Sequence, residues 1–182
     1  MAYNLIQDAF NDGLIEKIRL TAYLKNTDGE YVTDGSGNKV PLDNLSFACC
    51  TRREFVSEVQ TRLTQPQKFP FIFIESGDNI SYESEINGRT VVAIGEVFLC
   101  TLSNQKLLAD ERDKISFNTI LFPLKESFEQ NLKQGPLMMR NTKDQSFKFN
   151  QYHSYVTSES RFEEKLDVII LQDLELILTT KC

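Results

Sequence analysis

Between Phe69 and Ile74 the chain reads Phe-Pro-Phe-Ile-Phe-Ile, an unbroken apolar run with polar text on either side. A strand with no hydrophilic side has nothing to offer water, so other parts of the chain must cover both of its faces. The run predicts a central strand of a sheet with further layers packed on it. Pro70 near its start is compatible with this, because a missing N–H there need not break the ladder.

Amphipathic helices are available as the covering layers. From Asn4 to Tyr23 the residues Leu5, Ile6, Phe10, Leu14, Ile15, Ile18 and Ala22 recur at threes and fours, which places them on one stripe of a helix. Thr51 followed by Glu54 has capping-box spacing, and Phe55, Val56, Val59 and Leu63 extend it into a helix over Arg52–Thr64. Phe117, Leu121, Leu124, Phe128 and Leu132 form a third stripe, on a helix from about Leu108 to a terminating Gly135. Asp110, Glu111 and Asp113 at its start and Lys133 at its end suit the helix dipole, while Pro123 inside it predicts a kink or two abutting helices.

The remaining text reads as strands and turns. Val91–Leu102 predicts a long half-exposed strand with Val92, Ile94, Phe98, Cys100 and Leu102 on one face. Leu137–Arg140 and Phe147–Tyr155 read as β-segments, and Lys165–Thr180 as a strand bent or split by a turn or bulge at Gln172-Asp173. Glu75–Thr90 is polar and rich in turn signals, and reads as a loop. Lys25–Leu45, with two Asp-Gly turns around Tyr31, Val32 and Val40, reads as an extended loop or two-strand arm. The chain reads without internal repeats. The fold class is α/β in the α+β sense: a mixed or mainly antiparallel β-sheet flanked by amphipathic helices. Residues 1–182 form a single domain, with a projecting loop or β-arm at 25–45.

Composition narrows the function classes. A chain of 182 residues with 41% hydrophobic and 25% charged residues can build one packed core. Twenty Lys plus Arg against twenty-six Asp plus Glu leaves a net charge of -6, the wrong sign for gathering nucleic-acid phosphates. No secretory signal is expected, and the most apolar stretch, Leu166–Leu178, is interrupted by Asp167, Gln172, Asp173 and Glu175, so a cytosol-like compartment without membrane attachment is expected. Cys49, Cys50, Cys100 and Cys182 give neither a disulfide framework nor a metal knuckle and read as reduced thiols.

Catalytic constellations are sparse. The single histidine, His153, lies among tyrosines and reads as a packing or hydrogen-bonding residue. Cys49-Cys50 precedes a helix start, where a dipole can lower a thiol pKa, but no catalytic signature accompanies it. Asp34-Gly35-Ser36-Gly37-Asn38-Lys39 lacks the strand before and helix after that phosphate cradles need, and reads as a turn. The pairs Glu83 with Glu85, Asp110 with Glu111 and Glu163 with Glu164 read as solvated faces, and Asp-x-Asp calcium loops do not occur. A non-enzyme without cofactor or metal is expected. Candidate subunit-interface residues are Tyr31, Val32 and Val40 in the arm and the crowded aromatics Phe147, Phe149, Tyr152 and Tyr155.

From Phe69 onward the order of segments, with the Phe69-Pro70 and Phe117-x-x-Ile120-Leu121-x-Pro123 landmarks, resembles tail-terminator or neck-ring proteins of tailed bacteriophages. The resemblance implies an α/β subunit that closes into a six-fold or twelve-fold homo-oligomeric ring, joins portal or connector to tail, and lets DNA pass through the channel without specific binding. The 25–45 arm and the Glu75–Thr90 loop would then contact neighbouring rings, and the protein would reside in the virion after assembly in the host cytoplasm. The alternatives are a small cytosolic binding or accessory module with no virion role and, behind it, an enzyme using Cys49 or His153.

Overall fold

In the computed structural model, residues 6–7, 10–42, 44–51, 53–55, 57, 69–85, 89–104, 106–134, 138–139, 147–155 and 166–179 are described. The apolar run is covered on both faces, as its composition demands: Phe71, Ile72, Phe73 and Ile74 are all at most 1% exposed. It forms β2 (Phe71–Glu75), parallel to β1 (Ser46–Cys50) and antiparallel to β4 (Arg89–Leu102). Beyond β4 lie β7 (Leu166–Thr179) and then, side by side along β7, β6 (Lys148–Tyr155) and β5 (Met138–Met139). Among the described residues the result is a seven-stranded mixed sheet, an α+β fold. β2 lies second from the edge. The central place belongs to β4, with β7 on one side and, end to end along the other, β2 and β3 (Ile80–Glu85).

Two corrections follow from this arrangement. Within Glu75–Thr90 lies strand β3, whose Ile80 and Tyr82 pack against the core; every second residue suffices to anchor a strand, and the polar residues between disguise it as a loop. The strand Val91–Leu102 is not half-exposed, because flanking strands and cover on both faces bury Val91, Val92, Ile94, Val97, Phe98, Leu99 and Cys100.

Nor do its predicted residues share one face. Val92 and Ile94 pack with Val97 and Leu99 on the helix-bearing face, while Phe98, Cys100 and Leu102 lie on the other with Phe71 and Phe73. In-out parity thus reverses at Gly95-Glu96. β7 reverses opposite it: Ile169 and Leu171 face the helices before Gln172-Asp173, and Leu174 and Leu176 after it. Asp173 takes a left-handed backbone, φ 58°, so the expected bend at Gln172-Asp173 is present and is matched by its partner strand. Asn79 clasps the corner, accepting from Glu96 N–H at 2.8 Å and donating to the carbonyls of Glu96 (2.9 Å) and Glu75 (3.1 Å). A Cβ on Gly95 would lie 2.7 Å from Asn79 Oδ1, so any other residue there must displace the Asn79 amide.

The described part of the first stripe is buried, Ile6, Phe10, Leu14, Ile15, Ile18 and Ala22 all at most 4% exposed, and from Phe10 it follows a π-helical turn Phe10–Leu14 that runs into α1 (Ile15–Thr21); Leu5 lies outside the described residues. The long stripe is also buried, and two helical segments abut next to Pro123, as expected. A short α2 (Ala109–Arg112) runs into a π-helical stretch, Asp113–Leu121, and then into α3 (Phe122–Gln134). The Glu111 carboxylate accepts from Leu108 N–H at 3.0 Å, which serves one orphan donor at the start. The capping box closes: Thr51 N–H and hydroxyl each donate to the Glu54 carboxylate at 2.8 Å, and residues 53–55 are helical. Phe55 stacks on Phe73 with ring centroids 3.9 Å apart, covering the second face of β2. Ser57 is helical as well; residues 52, 56 and 58–64 of the expected Arg52–Thr64 helix, the Gly135 terminus and Cys182 lie outside the described residues.

Candidate functional site

The arm is more ordered than a loop. Leu24, Val32 and Val40 stand eight residues apart and close a ring of backbone bonds: Leu24 N–H to Val40 C=O, Val40 N–H to Val32 C=O and Val32 N–H to Leu24 C=O, each 2.9 Å. The β-bridges on either side repeat the pattern, Tyr23 with Pro41, Lys25 with Tyr31 and Thr33 with Lys39. Two five-residue corners connect these sides and are copies of each other. Asn26 Oδ1 accepts from the N–H groups of Asp28 (3.0 Å) and Glu30 (2.9 Å); Asp34 Oδ1 accepts from Ser36 and Asn38 (2.8 Å each). Gly29 (φ 85°) and Gly37 (φ 82°) supply the left-handed residue, and their N–H groups return to the carbonyls of Asn26 and Asp34 at 3.0 Å. The same bonds hold the Asp34 carboxyl below its ordinary range, those from Asn38 contributing most.

A third corner completes the triangle with opposite chemistry. Leu42 and Leu45 occupy the places of Asn26 and Gly29, Leu45 N–H reaches Leu42 C=O at 3.4 Å, and both side chains are in the core, at 4% and 1% exposure. Arg19 on α1 donates through Nε (2.9 Å) and Nη2 (2.7 Å) to Leu45 C=O. The eight-residue repeat escapes hydropathy reading because it lies in turn residues, and its third copy exchanges them for leucine. The arm is therefore a closed triangular coil with two polar corners and one buried one, rather than a two-strand extension.

Its exposed surface carries two of the expected interface residues, Tyr31 at 44% and Val32 at 36%; Val40 is half-buried. Tyr31 meets Tyr23 edge-to-face with centroids 6.1 Å apart, and the Lys39 ammonium lies 3.7 Å above the Tyr31 ring. A small groove separates this aromatic side from α3, lined by Thr21, Tyr23, Tyr31, Pro123, Glu126, Ser127 and Gln130.

The aromatic segment divides differently from expectation. Phe147 is 6% exposed and belongs to the core, so it is withdrawn as an interface residue: it sits just ahead of β6 on the side facing the helices. Phe149 (41%) and Tyr152 (40%) are exposed, on opposite faces of β6. Phe149 meets Phe122 edge-to-face at 6.2 Å beneath the Lys125 ammonium at 4.5 Å, and Lys125 pairs with Glu129 at 2.7 Å. Tyr155 ends β6, and its side chain lies outside what is described. Among the described strands β6 pairs with β7 alone. On the opposite edge of the sheet, Gln7 Oε1 accepts from Cys49 N–H at 3.0 Å.

The reactive side chains are not brought together. His153 Nε2 is 3.1 Å from Asp113 Oδ1 and its ring lies edge-on to Phe117 at 4.9 Å, a packed position between β6 and the π-helical stretch. Burial pushes the Cys49 thiol up to about 11 and raises Cys100 further, opposite to what a nucleophilic thiolate needs. Among the described residues, no three His, Cys, Asp or Glu side chains are grouped to hold a metal, and no helix is long and apolar enough to cross a membrane. Comparison with protein-family models, curated proteins and solved structures finds no match.

Proposed function

We propose that this protein is a non-enzymatic structural subunit of an oligomeric ring in a phage head-to-tail connector or tail terminator, joining portal or neck to tail around the DNA channel. The observation that carries the reading is the exposure of Phe149 and Tyr152 on β6, which among the described strands pairs with β7 alone, on a chain that also presents a different exposed surface at Tyr31 and Val32. A ring built from one kind of subunit needs two unlike surfaces that meet head to tail, and closes when the rotation between neighbours divides a full turn. A sheet edge supplies directional backbone bonds and the aromatics supply area. The net charge of -6 suits a conduit through which a polyanion slides without being held.

Sedimentation of the full chain against a Phe149→Ser, Tyr152→Ser variant tests this. Six- or twelve-fold assemblies of the parent, lost in a variant whose circular dichroism remains that of the folded parent, are the expected result. A parent that stays monomeric at high concentration and in the presence of portal or tail partners overturns it in favour of a small binding module.

A further inference from the structure

Pro123 has no N–H and cannot return the α-helical bond to the carbonyl of Thr119. Upstream of it the register is already shifted, since Phe122 N–H reaches Phe117 C=O, five residues back. The Thr119 carbonyl is met from outside the helix, by Lys25 N–H at 3.2 Å, at the start of the triangular arm. Side chains reinforce the junction. Lys25 Nζ pairs with Glu126 at 3.1 Å, and next to it Thr21 Oγ1 contacts Ser127 Oγ at 2.6 Å and accepts from Asn131 Nδ2 at 2.7 Å. The other end of the π-helical stretch holds β6, where Asp113 Oδ1 accepts from Gln151 Nε2 at 2.6 Å and lies 3.1 Å from His153 Nε2.

We propose that the arm is a strap whose Lys25 N–H replaces the hydrogen bond Pro123 forfeits, so that arm seating, the π register of Asp113–Leu121 and the attachment of β6 form one coupled equilibrium. The two-state element is the helical register. Tightening to α geometry between Asp113 and Leu121 turns the upstream end by about 100° for each residue taken up, which follows from 3.6 residues per turn. That rotation carries Asp113 away from Gln151 and His153. Because the arm is closed by its own backbone ring, a molecule seated on Tyr31 and Val32 moves Lys25 with it rather than deforming the coil. Coupling then runs through contiguous packed groups from the arm to the sheet edge, in either direction. The proposal does not require ring assembly.

Hydrogen-exchange mass spectrometry on the full chain tests it with two substitutions at one position. Lys25→Pro deletes the N–H, whereas Lys25→Ala keeps it and loses only the ammonium. The expected result is that Lys25→Pro raises exchange by about ten-fold or more in peptides over 113–122 and 147–155, while Lys25→Ala stays within about two-fold of the parent. Equal effects of the two variants, or unchanged exchange over 147–155 in Lys25→Pro, overturn the proposal. Should Lys25→Pro fail to fold, Pro123→Ala restores the helix's own donor. It is expected to release Lys25 and raise exchange over 23–33 by a similar factor, and unaltered exchange there also overturns the strap. Sedimentation of the same samples separates this outcome from the ring reading, since a monomer that shows the coupling sinks the ring and leaves the strap standing.

Discussion

The corner where β4 and β7 reverse parity depends on a contact between Asn79 and Gly95, and its energy is measurable as a coupling. Asn79→Ala removes three hydrogen bonds, two to carbonyls and one from Glu96 N–H, in a partly buried position. At about 1 kcal/mol net for each, the variant loses about 2–3 kcal/mol. Gly95→Ala places a methyl group 2.7 Å from Asn79 Oδ1, so the amide must swing away and surrender the same bonds, again about 2–3 kcal/mol. The two losses are one loss. In the Asn79→Ala background the added methyl meets no amide, and alanine recovers about 0.5–1 kcal/mol of the backbone entropy that glycine forfeits in a strand. Urea unfolding of the four proteins, followed by circular dichroism with a common slope, should give a double variant no less stable than either single and a coupling energy of about 2–3 kcal/mol. Additive losses, near twice a single variant's, would refute the clasp.

Two further outcomes concern titration. The Cys49 thiol is raised to about 11 by burial, so the unfolded chain releases its proton first as the solution becomes alkaline. Stability should hold up to the ordinary thiol value near 9 and decline from there to about 11, and Cys49→Ala should flatten that decline in alkaline urea titrations. At the other extreme, hydrogen bonds from the Thr51 backbone and hydroxyl hold the Glu54 carboxyl below its ordinary value, a contribution present above the carboxylate range and lost as acid protonates it. Thr51→Ala should return the Glu54 titration, followed by carboxyl NMR, part-way upward and cost about 1 kcal/mol as a lost N-cap.

How far the fold was legible depends on what each segment exposes to a one-dimensional reading. The run at Phe71–Ile74 and the stripe from Phe117 to Leu132 could be placed because burial on two faces, or on one helical face, leaves a periodic mark that survives any tertiary arrangement. The faces of β4 do not follow from its sequence, because alternation assumes a straight strand. The reversal at Gly95-Glu96 moves Phe98 and Cys100 to the face opposite Val92 and Ile94, and its cause, Asn79, lies on another segment. Pro123 announced a helix defect but not its resolution, since the group that meets Thr119 is the Lys25 backbone, distant in sequence. Of the candidate interface residues, Tyr31, Val32, Phe149 and Tyr152 are exposed, while Phe147 is buried because crowding of aromatics does not reveal which side of a strand meets the core.

The central claim is that this chain works by contacting copies of itself through the β6 edge and the arm. Electron-microscope images of the purified full chain, alone and with portal or tail partners, test it most directly. Rings of six or twelve subunits around a hole wide enough for duplex DNA, absent from the Phe149→Ser, Tyr152→Ser variant, are the predicted result. Isolated single-subunit particles under every condition, with the fold intact, would contradict it.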